Sequence, residues 1–221
     1  MFRNPFRTPD GTEAKDYLCD DVFEYAQAFL ARERRVLFLR GPVINAPSRM
    51  DHFAPSMLGD DIMAMNRQDP KKPIYLVIDS PGGDVPSGLI LYDIIRLSKA
   101  PVITIGMNCA SMATVILAAG AERLCFPHTR MMLHLPSGSI TGTETEVTIR
   151  SKVLSDIKEE LIDCYLECGV TAGLKKKRTP ETIRERITKD IEREHWMVAQ
   201  TAVQYGIVDR IITSKELFGD A

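Results

Sequence analysis

The sequence predicts an α/β fold built around a parallel sheet, and three observations lead there. Short β-branched runs, VLFL at 36–39, IYLVID at 74–79 and PVITI at 101–105, alternate with longer segments of helical periodicity. Successive strands of that kind are joined by right-handed β-α-β crossovers. The second run is closed by Ser80-Pro81-Gly82-Gly83 and the strand of the third leads to Ser111. Both therefore stand at carboxyl ends of strands, where open α/β sheets build their sites, although they are far apart in the chain. Residues 112–119 are apolar with no charge, the pattern of a buried helix that begins directly after Ser111.

Composition narrows the class. The chain has 221 residues with 28 basic and 30 acidic side chains, a net charge of −2. No whole-molecule field points to nucleic acid or to an anionic membrane. No Ser/Gly-rich or Pro-rich linker divides the chain, so the expectation is a mobile arm at 1–15 and one domain at 16–221. The five cysteines, Cys19, Cys109, Cys125, Cys164 and Cys168, are odd in number, with no C-x-x-C and no histidine at zinc spacing. That usage fits a reducing, cytoplasmic setting and calls for no metal or other cofactor. The longest uncharged apolar run, 112–121, is about half of what spans a bilayer, and FRNPFRTPDGTEAKD at the N-terminus lacks a hydrophobic signal core. No membrane association is expected.

In chain order, residues 1–15 are polar and carry Pro5, Pro9 and Gly11. Over 16–32, Leu18, Val22, Tyr25, Phe29 and Leu30 recur at helical spacing. The strand 36–39 is stopped by Gly41 and Pro42, 47–55 is a connection, and Ser56 caps a helix to about 67 whose Met57, Ile62, Met63 and Met65 fill core space. After the Gly-Gly turn, 86–97 reads as a helix with Leu89, Ile90, Ile94 and Leu97 on its apolar side. Two short strands follow the buried helix, 124–126 and 131–135, the second ending in His134-Leu135-Pro136. A Gly/Ser-rich stretch, 136–142, leads to Thr143-x-x-Glu146, a capping box opening the longest helix. Its inner face is predicted from Val153, Leu154, Ile157, Leu161 and Cys164 or Tyr165, and Gly169 ends it. Lys175-Lys176-Lys177-Arg178 reads as a solvated turn, Thr179 and Pro180 start another helix, 199–205 is a short helix, and 207–212 is a last strand.

A serine, a histidine and a carboxylate near ends of regular elements, with a Gly-Gly turn offering N–H groups, are the parts that acyl transfer needs. Ser111 at a helix N-terminus is an N-cap on the simplest view, but that position also favours a developing oxyanion. His134 closes a buried strand on the side where Ser111 should lie, whereas His52 and His128 sit in Pro-flanked connections and His195 follows an acidic segment. A satisfied core imidazole and a catalytic base fit His134 equally on spacing alone. Among carboxylates, Asp190, Glu192 and Glu194 share a face if extended, and Asp190 and Glu194 do in a helix, so spacing does not choose.

The residues I-D-S-P-G-G-D-V, C-A-S-M-A with L-A-A-G-A, M-L-H-L-P, D-x-x-R-E-x-W and A-V-Q-Y-G-I-V-D, in that order over about 34–213, resemble the proteolytic subunit family of Clp protease, ClpP. The resemblance implies a crotonase-like α/β core with a protruding handle, about 136–168, and serine endopeptidase activity. It maps the nucleophile to Ser111, the base to His134, and the oxyanion-hole amides to Gly83 and Met112. It maps the triad acid to Glu194, two residues before Trp196, where the family usually has aspartate. Leu135 stands for a usual glutamine, 170–179 looks inserted, and the N-terminal arm departs from the family's axial-loop pattern. The implied partners are further copies or related chains in two stacked heptameric rings, an AAA+ unfoldase and unfolded polypeptides. With no GxxxxGK[ST] loop in the chain, ATP hydrolysis falls to the partner. Two rival readings share the fold: a catalytically weakened structural subunit of a mixed ring, and a crotonase-type acyl-CoA enzyme using the Gly-Gly turn without a serine nucleophile.

Overall fold

The sheet that carries the site is built from the predicted β-branched runs. The computed structural model describes residues 34–44, 54–176 and 178–213. The predicted arm at 1–15, the helix at 16–32, and His52 lie outside the described residues. Strand β1 (Val36–Arg40) leads to helix α1 (Pro55–Gln68), then β2 (Ile74–Ser80), α2 (Val85–Leu97), β3 (Val102–Ala110), α3 (Met112–Ala118) and β4 (Glu122–Leu133). The long α4 (Glu144–Glu167), α5 (Pro180–Ile191), β5 (His195–Val198), α6 (Ala199–Tyr205) and β6 (Arg210–Ile211) complete the order. Strands β1 to β4 pair in sequence order and all in parallel; β5 joins β4 antiparallel and β6 joins β4 in parallel.

Strand β4 has two working halves. Against β3 its register runs Gly106↔Cys125 and then Asn108↔Arg130, so the 126–129 segment bulges out between them. The two predicted strands, 124–126 and 131–135, correspond to these halves, although the strand is continuous and stops at Leu133. The first half pairs with β6, the second with β5.

Burial follows the strands closely and the helices less so. In β2 alternate residues Ile74, Leu76 and Ile78 are fully buried, packed with Leu39 and with Ile116 and Leu117 of α3 in one large core. For α2 the predicted apolar side is the wrong one. Its buried stripe is Gly88, Leu91, Tyr92 and Ile95, while Ile90 is 51% and Leu97 83% exposed. The helix is apolar nearly all round, so periodicity permits two stripes. Gly88 selects one, because a Cβ there would lie 2.3 Å from Met112 Cγ. On the other side Ile94 is half-buried, and its Cδ1 lies 2.5 Å from where a Cβ on Gly59 would be.

Two further expectations are corrected. Helix α1 starts at Pro55 with Ala54 as N-cap and no side-chain cap, so Ser56 lies inside the first turn. Its Ile62 and Met65 are buried, but Met57 and Met63 are exposed. Helix α4 keeps its capping box, with Thr143 and Glu146 satisfying each other's N–H groups, yet only Ile162, Cys164 and Tyr165 are buried. Leu154, Ile157 and Leu161 are half-buried and Val153 is exposed, as are Val147 and Ile149. The first turns of the helix run past the core, and nothing among the described residues covers them.

Candidate active site

Strand β3 ends at Ala110 and α3 begins at Met112, leaving Ser111 alone to make the turn. It does so at φ 55° and ψ −128°, a backbone conformation that L-residues avoid and that costs ~1–3 kcal/mol. Neighbouring groups hold it there. Its N–H donates to the Met132 carbonyl at 2.7 Å, and its carbonyl accepts from Thr114 N–H at 2.9 Å and Thr114 Oγ1 at 2.7 Å. Thr114 Oγ1 also meets the buried Tyr165 hydroxyl of α4 at 2.7 Å. Burial raises the Tyr165 phenol far above its ordinary range, so it remains a neutral hydrogen-bonding group. Thr114 and Tyr165 are supports that sequence reasoning did not single out. The available signal was a threonine one helical turn after Ser111 in an otherwise apolar helix.

The Ser111 side chain is not used as an N-cap. Instead its Oγ lies 2.8 Å from His134 Nε2. The imidazole is held by β4, which ends one residue earlier at Leu133, and by Leu135 N–H, which donates to the Ile191 carbonyl at 3.0 Å. Serine and histidine, both half-buried, are thus brought together by adjacent strands of one sheet.

The Gly-Gly turn abuts the same corner. A Cβ on Gly82, at φ 87°, would fall 2.5 Å from the Ala110 carbonyl oxygen, 2.7 Å from Ser111 Cβ and 2.8 Å from Met112 N. Only glycine allows that approach. Gly83 bridges to Val43, whose N–H donates to the Gly82 carbonyl at 2.9 Å and whose carbonyl accepts from Asp84 N–H at 2.7 Å. That pairing leaves the Gly83 N–H without an acceptor among the described residues. Met112, first residue of α3, has none four residues back.

The carboxylates separate in a way that spacing did not reveal. Asp190, in α5, is spent: its Oδ2 accepts from Arg186 Nε at 2.8 Å and from the Tyr205 hydroxyl at 3.1 Å. Glu194 lies in the segment entering β5. The antiparallel register Met132↔Trp196 and Leu133↔His195, carried one step further, sets Glu194 opposite His134. Its exposed side chain, however, accepts from Trp196 Nε1 at 2.9 Å rather than from the imidazole. His195 faces elsewhere, its ring against Tyr205 and its Nε2 buried without a hydrogen-bond partner among the described residues. His128 is exposed in the bulge of β4.

Beside the serine lies a cleft walled by Met112, Val115, Leu161, Ile162 and Tyr165, with Ser111 and His134 in its lining. A hydroxyl on a strained strand-to-helix corner, a histidine in hydrogen-bond contact, two unused amides and an apolar cleft define a serine hydrolase built for acyl transfer. Residues 29–215 match the family model of Clp protease. Among curated proteins the chain is 35% identical over 162 residues to ATP-dependent Clp protease proteolytic subunit 2 of Bifidobacterium longum, covering 72% of this chain and 73% of that protein. It is 35% identical to proteolytic subunit 1 of Corynebacterium jeikeium, covering 80% and 89%, and 33% identical to proteolytic subunit 2 of Rhodococcus jostii, covering 89% and 90%. The chain belongs to the Clp protease family and is a Clp-type serine endopeptidase subunit. Among the described residues no helix is long and apolar enough to cross a membrane.

Proposed function

We propose that Ser111 is the nucleophile, His134 the general base and then acid, and the Gly83 and Met112 N–H groups the oxyanion donors. Ser111 Oγ adds to the peptide carbonyl carbon as His134 Nε2 takes its proton. The carbonyl oxygen becomes an alkoxide held by the two amides. Collapse breaks the C–N bond, His134 gives the proton to the leaving amine, and water then releases the acyl group by the same steps. The observation that carries this reading is the 2.8 Å contact between Ser111 Oγ and His134 Nε2 on the strained corner. Glu194 acts as the third member, orienting His134 through Nδ1, a role its register position supports.

Treatment of the full chain with a small alkyl fluorophosphonate, followed by peptide mass spectrometry, tests the assignment. Ser111 should carry the adduct, and Ser111→Ala should carry none. A missing adduct in the parent, or an undiminished one in the mutant, would sink it.

The same reading makes the chain one subunit of stacked heptameric rings, fed with unfolded polypeptide by an AAA+ ATPase in the cytoplasm. The exposed apolar Val147, Ile149 and Val153 of α4 support burial against further copies or related chains. Native mass measurement, alone and mixed with a second proteolytic subunit, should give a large ring assembly; a monomer under both conditions at micromolar concentration would contradict it. A second reading, a catalytically weakened member of a mixed ring, is favoured by the contact of Glu194 with Trp196 instead of His134. Rescue of peptidase activity by Glu194→Asp in an otherwise inactive parent would establish it.

A further inference from the structure

The cleft beside Ser111 holds one group that the reaction above leaves unused. Lys158 is the only lysine, arginine, aspartate or glutamate lining it among the described residues; the rest of the wall is largely apolar. Lys158 precedes Leu161, Ile162 and Tyr165 by one and two turns of α4, so all four share one stripe of the helix. An apolar residue there would simply extend the wall. Instead the side chain is 27% exposed, with Nζ 3.2 Å from Glu159 Oε1.

That ion pair does not tie Lys158 down. Adjacent residues on a helix do not face each other, and a partly exposed pair of this kind is weak. Glu159 has an independent partner, since its Oε2 accepts from Arg184 Nη1 at 3.0 Å, and Arg184 also pairs with Asp163. Lys158 therefore has a long, flexible stem, a positive head and no carboxylate facing it from the cleft lining. An acceptor entering the cleft would meet that charge against apolar walls, where a charge-assisted hydrogen bond is stronger than in water.

Attack by Ser111 fixes which substrate side chain arrives there. With the carbonyl carbon on Ser111 Oγ and its oxygen on the Gly83 and Met112 amides, the side chain of the residue owning that carbonyl is the one nearest the cleft. Resting on the reading of Ser111 as nucleophile, we propose that Lys158 is a specificity residue selecting a carboxylate side chain on the acyl side of the scissile bond. Glutamate fits better than aspartate, because its extra methylene can lie along the apolar wall before the carboxylate reaches Nζ.

Two tripeptidyl diphenylphosphonates, identical except for a glutamate- or leucine-like side chain next to phosphorus, test this on the full chain. Each reacts by forming a Ser Oγ–P bond with loss of phenol, so intact-mass labelling rates read recognition without needing turnover. Rates are divided by that of a small alkyl fluorophosphonate on the same protein. The expected glutamate-to-leucine ratio is about tenfold in the parent, the size of one charge-assisted hydrogen bond. Lys158→Met should remove or invert it, and Lys158→Arg should keep it. A parent that prefers leucine, or a ratio unmoved in Lys158→Met, overturns the inference while leaving Ser111 as nucleophile. Failure of the alkyl probe to label Ser111 overturns the catalytic reading and this inference with it.

Discussion

The corner at Ser111 and the segment 190–196 supply the parts of one site, and they are built in opposite ways. At Ser111 every backbone direction is held: Met132 takes its N–H, Thr114 its carbonyl, and Gly82 packs so close that no side chain fits. At 190–196 the paired register ends at Leu133↔His195, just short of His134 and Glu194, and the Glu194 carboxylate is exposed and rests on Trp196. Sheet pairing positions Cα atoms well and exposed side chains poorly, so Ser111 and His134 are held in contact while the Glu194 carboxylate keeps a choice. Pre-organisation of that kind is what transition-state stabilisation requires.

The sharpest way to break this comparison is Glu194→Gln. If Glu194 turns to His134 during the reaction, peptidase kcat should fall by ~10³–10⁴-fold with the fold intact by circular dichroism, since an amide does not stabilise the imidazolium. Full activity in Glu194→Gln beside a dead Glu192→Gln would move the acid.

The rigid corner has its own test in Gly82→Ala. The added methyl meets three backbone or near-backbone neighbours and the φ is positive, so strain of ~1–3 kcal/mol must be absorbed at Ser111. Both kcat and fluorophosphonate labelling should drop by ~10–100-fold. Unchanged labelling would mean that the close approach is dispensable.

A smaller effect comes from Trp196→Phe. Removing the indole donor releases Glu194 without touching Ser111 or His134, and peptidase activity should rise a few-fold, the scale of one exposed hydrogen bond. A fall as deep as that of Glu194→Gln would show instead that the indole holds the carboxylate in its productive place.

The smallest effect is on alkaline stability. Burial pushes the Cys125 thiol up to about 11 and the Cys164 thiol up to about 12, against 9.0 for an ordinary thiol. Above pH ~9 the unfolded chain gives up protons that the folded chain keeps, so their stabilising contribution is complete below that pH and is lost as pH rises through the folded values. Denaturant midpoints should decline from pH ~9 to ~11, and less steeply in Cys125→Ala relative to its own neutral-pH midpoint. A flat profile would refute the assignment of those shifts.

Much of the architecture was readable because it rests on local patterns. β-branched runs marked β1, β2 and β3, the Thr143 capping box and the Thr179 N-cap marked two helix starts, and Gly169 ended a helix in the left-handed conformation. Motif order carried Ser111, His134, Gly83 and Met112 to one family pattern, and the geometry brings that serine and histidine into contact.

Other features depended on neighbours distant in sequence. The buried stripe of α2 is decided by Gly88 meeting Met112, which no periodicity within an all-apolar helix can specify. The half-empty inner face of α4 reflects where the core ends, not which residues the helix carries. Asp190 was separated from Glu194 only by Arg186 and Tyr205, which occupy the first carboxylate. Lys158 entered the cleft lining because the α4 stripe faces α3. Sequence alone therefore determined the order of elements, which rests on backbone propensity and short spacing, while the pairing of Ser111 with His134 was pointed to by family resemblance rather than by spacing. Tertiary structure decided which helix faces are buried, which carboxylate is free and what charge lines the cleft, because each depends on groups the chain brings together only by folding.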